Sequence, residues 1–358
     1  MQNKTIIKKA LFAIAAVLFV LALGIGLTFR NEIKTMNSIT KVDKYGFYTM
    51  EFTSDYGFDE FLKVGASSDK ELIQFVIRKS LKGIPIDVPP PELGCTTFNA
   101  VTPKGDFIFG RNFDMNYSPG MLVHTRPANG YESISMVNLA FLGFKGDYMP
   151  DSIFNRTETL GTPYAPLDGI NEKGLSVGIL LVPDKPTNQT TKRIDITCTT
   201  AIRMLLDKAA TVDEAVTLLK KYDMHDSANA CYHYQIADAD GKSVIVEYIN
   251  NEMHLLTPKT SYQACTNFFQ TPGAKYNLGI GQDRYNIVMT GLKGKNGVVT
   301  EKEGMNLLNA AKTLNFNYQK KGVIINTQWS AIYNNTKKSV DICIGQNYGK
   351  VYHYSVAH

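Results

Sequence analysis

Residues 84–93, IPIDVPPPEL, constrain this chain more than any other stretch. The four prolines from Pro85 to Pro91 lack backbone donors and clash with a preceding helical turn, so the segment is neither a helix interior nor a central strand. It reads as an extended, accessible linker that ends at Gly94, directly before Cys95. After Cys95 the character changes. CTTFNAV and FIFGRNF are rich in β-branched and aromatic residues, and TPKGD between them is a turn. The expectation is a hairpin with Cys95 at the start of its first strand, Arg111 sixteen residues on and Asp114 nineteen.

Further strand-like runs are GLSVGILLV, YHYQIADA and SVIVEYI, the last two joined by the turn DADGK, and TQWSAIYN, SVDICIG and KVYHYSV near the end. Helices are expected over SSDKELIQFVIRKSLKG, where Ser68 and Glu71 have capping-box spacing, and over Cys198–Ala209. Two more are expected, from Thr211 through AVTLLKKY and around Glu301–Thr313. Strands in antiparallel hairpins with paired helices between them indicate α+β layering, not alternating βαβ units. Residues 31–66 show no clear period. The chain divides into residues 1–30, an N-terminal leader over 31–94, and one domain over 95–358.

The chain opens on the basic MQNKTIIKK, and Ala10–Phe29 then gives twenty residues without a charge, long enough to span a bilayer as one helix. Two readings stay open: an uncleaved membrane anchor, or a signal segment removed after Ala22-Leu23-Gly24. Both put the bulk of the protein outside the cytoplasm, because Lys4, Lys8 and Lys9 precede the span. The net charge of +5 is not gathered into a basic run with interleaved aromatics, which argues against nucleic-acid binding. The five cysteines form no C-x-x-C pair, so neither zinc nor a redox motif is indicated, and no cofactor or metal is expected. The sequence carries no signal for an oligomeric state.

Cys95 follows an accessible linker, begins a strand and is preceded by a glycine. Those features fit an N-terminal nucleophile. If the Gly94–Cys95 bond is cut, Cys95 gains an α-amine with an ordinary pKa near about 8, beside a thiol near about 8.5, so each can serve the other near neutral pH. One residue then supplies both nucleophile and base. The six histidines lie in no recognisable protease context.

Cys95 and Gly110-Arg111-Asn112-Phe113-Asp114 together resemble the start of the mature chain in the choloylglycine hydrolase, penicillin V acylase and N-acylethanolamine acid amidase superfamily. DGINEKGLSVGIL at 168–180, HYQIADADGKSVIVEY, CTNFFQ at 265–270, DRYN at 283–286 and TQWSAIYN extend the likeness over nearly everything from 95 to 358. The resemblance implies a four-layer αββα sandwich of the N-terminal nucleophile hydrolase type, self-cleavage, and hydrolysis of linear amides. It implies Cys95 as nucleophile, Asp114 holding the α-amine, Arg111 favouring thiolate, Asn267 offering its amide to the oxyanion, and Arg284 orienting the site. Asn171 reads better as a turn residue. Two departures stand out. The place of a further oxyanion donor falls at about Leu181, which has none. Asn267 and Arg284 are only seventeen apart, closer than in bile-salt enzymes. That spacing and the long leader look more like the acid amidase branch, and favour a small or lipid-like N-acyl amide as substrate. An acyltransferase using the same acyl-Cys95 intermediate, and a catalytically silent, membrane-tethered binding protein of this fold, are the alternatives.

Overall fold

The computed structural model describes Phe12 and residues 26–79, 94–317 and 322–356. The proline-rich linker and most of Ala10–Phe29 lie outside the described residues, and so does the expectation of a membrane span. Among the described residues no helix is long and apolar enough to cross a membrane.

Helix α1 (Arg30–Asn37), strands β1 (Thr40–Asp43) and β2 (Phe47–Phe52), and helices α2 (Phe58–Val64) and α3 (Asp69–Lys79) precede the linker. The expected hairpin follows as β3 (Gly94–Val101) and β4 (Phe107–Met115), then β5 (Gly120–Thr125), β6 (Ser133–Asn138), β7 (Pro166–Asn171) and β8 (Ser176–Val182). Strand β9 (Ile194–Thr197), helices α4 (Cys198–Lys208) and α5 (Val212–Leu219), and strand β10 (Tyr222–His225) lead into β11 (Cys231–Ala237), β12 (Ser243–Ile249) and β13 (Glu252–Leu256). Short strands β14 (Gln263–Cys265), β15 (Asn267–Phe268) and β16 (Gly279–Ile280) come before helices α6 (Gln282–Lys293) and α7 (Glu301–Ala310). Strands β17 (Phe316–Asn317), β18 (Ile324–Asn334), β19 (Ser339–Ile344) and β20 (Val351–Ser355) follow.

Two large sheets organise these elements. One runs β1-β2-β5-β6-β7-β8-β11-β12-β13, and the other β14-β3-β4-β18-β19-β20 with β17 on β18. Helices α4 and α5 cover the first sheet, α6 and α7 the second, so the layers are helix, sheet, sheet, helix. This is the α+β sandwich expected. Alternation along each strand explains it: Phe109, Phe113, Trp329 and Tyr333 fill the space between the sheets, while Phe98, Ile108 and Ile332 meet Val288, Leu292 and Leu308 of the outer helices. Local caps match the sequence too. Thr211 Oγ1 accepts the Glu214 N–H, and Thr300 with Glu303 forms a full capping box ahead of α7.

The leader is built into the first sheet. Strand β2 pairs in parallel with β5, from Phe47 opposite Gly120 to Phe52 opposite Thr125. Phe58, Phe61 and Phe75 of α2 and α3 pack with Tyr164 of the main domain. Each buried aromatic of this kind contributes about 2 kcal/mol. Cutting the chain at Gly94 therefore leaves a leader still held by a sheet edge and a shared core.

Candidate active site

The β3–β4 hairpin sets the geometry around Cys95. Gly94 lies opposite Asp114, Cys95 opposite Phe113 and Thr97 opposite Arg111. Because side chains alternate, Cys95 and Arg111 share the face between the two sheets, and Asp114 falls on the face toward the helices. The sixteen- and nineteen-residue spacings thus place a guanidinium on one side of the Cys95 strand and a carboxylate on the other.

Cys95 is fully buried, as are all five cysteines, each a free thiol. Its backbone N–H donates to Asn267 Oδ1 at 2.8 Å. Arg284, from the first turn of α6, reaches into the same place. Its Nη1 donates to the Cys95 carbonyl at 2.5 Å, to Thr96 Oγ1 at 2.9 Å and to Asp114 Oδ2 at 3.1 Å, and its Nη2 donates to Asn267 Oδ1 at 2.7 Å. A donor-only guanidinium on Oδ1 fixes which way the Asn267 amide points. Asn267 Nδ2 donates to the Leu181 carbonyl at 2.7 Å. Gly281, with φ +89, caps α6, and a Cβ there would stand 2.5 Å from Arg284 Nη2. A glycine is what lets the arginine fold back over its own helix end.

Asp114 is held by Thr327 Oγ1 at 2.6 Å and Thr313 Oγ1 at 2.7 Å besides Arg284. It is linked to Cys95 through Arg284 rather than by a bond to the Cys95 nitrogen. A Cβ built on Gly94 would meet Asp114 Cβ at 3.1 Å and Oδ2 at 3.3 Å, so the residue before Cys95 is wedged against this carboxylate.

Arg111 is buried completely, with Nε 3.3 Å from Asp168 Oδ2. Its Nη1 and Nη2 have no acceptor. The guanidinium lies beside the Cys95 thiol and favours the thiolate through charge first and a side-chain contact second. Burial pushes the Cys95 thiol above its ordinary pKa, and Asp114 adds to the rise while Arg111 and Arg284 oppose it. In the uncut chain the thiol therefore stays protonated.

Asp168 was not anticipated. It sits in β7, in a run that reads as a turn, and accepts from Trp329 Nε1 at 3.1 Å and from the Tyr333 hydroxyl as well as from Arg111. Burial raises its pKa despite these donors. Trp329 stacks on Phe113 with ring centroids 3.9 Å apart, which fixes its indole N–H over the carboxylate. A lone carboxylate in a buried strand must find a cation, but only the fold shows that the strand is buried. Asn171 lies elsewhere: its side chain closes the β7–β8 turn and holds the carbonyls of Leu206 and Ala209 at the end of α4.

A cavity of about 430 Å³ opens beside Gly94 and Arg284, with Ile280, Lys312, Leu314 and Phe316 on its walls. A larger one, about 550 Å³, lies at Met50, Leu122 and Tyr354 and includes none of the residues around Cys95. Among the described residues no group of histidine, cysteine or acidic side chains is arranged to hold a metal.

A family model described as acyl-coenzyme A:6-aminopenicillanic acid acyl-transferase matches residues 101–348. The chain is 32% identical over 111 residues to the penicillin V acylase of Pectobacterium atrosepticum, covering 28% of this chain and 29% of that protein. It is 26% identical over 204 residues to the bile salt hydrolase/transferase of Clostridium perfringens, covering 54% and 60%. Each match thus spans less than two thirds of the curated relative's length. Among solved structures, a variant of the conjugated bile acid hydrolase from Clostridium perfringens matches with a TM-score of 0.53 and 16% identity, over 73% of this chain and 92% of that one. Penicillin V acylase from Agrobacterium tumefaciens matches with 0.51 and 17%, over 73% and 86%. At these identities the structural likeness concerns the fold.

Proposed function

Because this chain belongs to the acyl-coenzyme A:6-aminopenicillanic acid acyl-transferase family, we propose that it is a self-activating cysteine amidase that cleaves the amide bond of small or lipid-like N-acyl compounds. The observation that carries the reading is the convergence of Asn267 and Arg284 on the backbone of Cys95, with Asn267 Oδ1 2.8 Å from its nitrogen. A structural cysteine has no need of a buried amide and guanidinium on its own peptide group.

The mechanism has two stages. In the first, the Cys95 thiol adds to the Gly94 carbonyl, the C–N bond breaks as the C–S bond forms, and the thiol proton passes to nitrogen. Water then hydrolyses the thioester, releasing the Gly94 carboxyl end and a free Cys95 amine. With Gly94 gone, that amine keeps Asn267 Oδ1 and faces the Asp114 carboxylate that Gly94 had been wedged against. In the second stage the amine takes the thiol proton, and Arg111 supports the thiolate by charge. The thiolate attacks the substrate carbonyl and the amine returns the proton to the departing nitrogen. Asn267 Nδ2, bonded to the Leu181 carbonyl, has a second hydrogen to offer an oxyanion. Water resolves the acyl-Cys95 intermediate. An amine doing so instead would make the protein an acyltransferase, a reading favoured by the family description itself.

The cavity beside Gly94 supplies an apolar wall, Ile280, Leu314 and Phe316, suited to an acyl chain, with Lys312 at one side. The uncharged run after Lys4, Lys8 and Lys9 supports a catalytic domain outside the cytoplasm, at a membrane or released. The test is intact mass spectrometry of the purified protein beside Cys95→Ala. A wild-type fragment beginning at Cys95 and absent from the variant is expected, and the cut protein should release amine from N-acyl amides. A competing amine added to that assay separates hydrolysis from transfer. A wild-type chain that stays whole at neutral and mildly acidic pH would sink the amidase reading and leave the silent binding protein.

A further inference from the structure

Behind Asn267, outside the site described so far, lies a buried pair of side chains that the chemistry at Cys95 does not use. His233 of β11 and Glu247 of β12 have fully buried side chains, with His233 Nδ1 3.4 Å from Glu247 Oε1. Both reach the segment that carries Asn267, one from each side of it. His233 Nε2 donates to the Thr266 carbonyl at 2.6 Å. Glu247 Oε1 accepts the Gln270 N–H at 2.8 Å, and Oε2 accepts the Thr271 N–H at 2.9 Å. Cys265 Sγ lies 3.4 Å from His233 Nε2, and the Phe269 ring stands edge-on to the imidazole. We propose that His233 and Glu247 are positioning residues: their pair brackets the Cys265–Thr271 segment and fixes Asn267 against the Cys95 nitrogen.

Protonation follows from the partners. A carbonyl only accepts, so Nε2 must carry a hydrogen. Two backbone N–H groups only donate, so Glu247 must present acceptor oxygens on both sides. Burial works to lower the His233 pKa, but Cys265 and Glu247 beside it outweigh burial and hold it up at about 10. Burial likewise works against the Glu247 carboxylate, and His233 with the two backbone donors keeps it below its usual value.

The segment needs such a clamp. Among the described residues its ladder at this point is the two-residue pairing of β15 with β16, continued by backbone bonds of Phe269 with Leu278 and Asn277. Upstream, β14 is tied to β3 through Cys265 opposite Thr97, and the chain then leaves that sheet. A buried ion pair is all-or-none, because losing one partner strands the other's charge. The segment is thereby held in one place, with Thr266 gripped before Asn267 and Gln270 gripped after it. The clamp acts through Asn267 and touches neither Cys95 nor substrate.

This inference rests on the amidase reading for its consequence but not for its geometry, and the experiment separates the two. Glu247→Gln keeps the shape and removes the charge. In the cut enzyme it should lower kcat by about 10–100-fold with KM within about two-fold, because the interaction lost is one realised in the transition state. In an Asn267→Ala background the same change should cost less than about three-fold, since residues acting as one unit are not additive. Equal losses in both backgrounds, or an unchanged kcat, would overturn the clamp. Should Glu247→Gln not fold, His233→Gln, which keeps a donor toward Thr266, carries the same cycle. If the wild type cuts nothing, the amidase reading fails, and hydrogen exchange in the Cys95→Ala protein still decides the clamp. There, Glu247→Gln should speed exchange of the Gln270 and Thr271 amides by about ten-fold or more while β3 is unaffected. Unchanged exchange would refute it.

Discussion

Arg284→Lys tests whether the fork of the guanidinium, and not merely its charge, organises the nucleophile. Arg284 makes four hydrogen bonds from two nitrogens, to the Cys95 carbonyl, Thr96, Asp114 and Asn267. A lysine ammonium is one point with three donors on a flexible stem and cannot bridge Asp114 and Asn267 from two separated nitrogens. It would stay near Asp114, the only charged partner, and give up Asn267 and one acceptor on the Cys95 strand. Two charge-assisted bonds at about 1.5 kcal/mol or more each amount to about 3 kcal/mol. If both are needed in the transition state, that is roughly a 100-fold loss of rate. Part of it falls on stability, and a loss of about 2 kcal/mol would lower the melting temperature by about 4–8 °C in a domain of this size. The assay follows appearance of the fragment beginning at Cys95 by mass spectrometry, then kcat of the matured protein on an N-acyl amide. The expected result is slow maturation and a kcat down roughly 100-fold in a protein that still melts cooperatively. Self-cleavage and kcat within about two-fold of wild type would show that charge alone suffices, and the argument from the fork would fail.

Gly94→Val should slow self-cleavage, because its side chain would press on Asp114 at 3.1–3.3 Å, yet leave kcat per matured molecule within about two-fold, since the cut severs residue 94 from Cys95. Asp168→Ala removes the only carboxylate on Arg111 and should cost about 3–5 kcal/mol, read as a lowered melting temperature, because it leaves a buried guanidinium without its partner. Asp226 gives a pH test. Burial lifts its carboxyl to about 7, with the Thr187 and Tyr232 N–H groups on Oδ2 and no partner on Oδ1. The folded state then holds a proton that the unfolded chain, with a carboxyl near about 4, gives up, so this group's share of stability is full at low pH and lost as pH rises from about 4 to 7. Asp226→Asn should therefore stabilise the protein at pH 8 by a few kcal/mol and progressively less toward about pH 4, measured by chemical denaturation. A gain independent of pH would show that Asp226 is not protonated in the folded protein.

What the sequence disclosed followed from short-range rules. The proline run and the TPKGD turn placed Cys95 at the head of a hairpin that brings Arg111 and Asp114 back beside it, and the structure adds that the two lie on opposite faces. Capping spacings at Ser68 and Thr211 marked real helix starts. Asn267 and Arg284 were legible only through family likeness, because what unites them is a fold-back of more than 170 residues onto β3, and no local pattern encodes that. The likeness implied an oxyanion donor at Asn267 and an orienting role for Arg284. Asn267 turns its oxygen to Cys95, and Arg284, which could have been a solvated charge ahead of a helix, lies buried in the helix's first turn. The leader's strands were hidden for a related reason. Residues 40–52 show little periodicity because β1 is an exposed edge, and β2 is recognised only by the strand it pairs with, seventy residues on. Asp168 and the His233–Glu247 pair escaped because a buried charge and a solvated one look alike until the partner is known.

The order of these charges bears on how an uncut chain stays inert. Two ion pairs, Asp168 with Arg111 and Asp114 with Arg284, flank the neutral Cys95 thiol, so this line of charges is matched without it. A thiolate would be the odd charge in that line. Arg111 can offset it, but burial and Asp114 outweigh Arg111 while the Cys95 nitrogen remains a peptide N–H that accepts no proton. In the proposed maturation, cutting before Cys95 would change that balance. The new amine can take the thiol proton, so the line gains an ammonium and a thiolate together and its total charge is conserved. On the self-activating reading proposed above, a single bond cleavage, with no rearrangement of the sandwich, would convert a protonated core cysteine into a nucleophile.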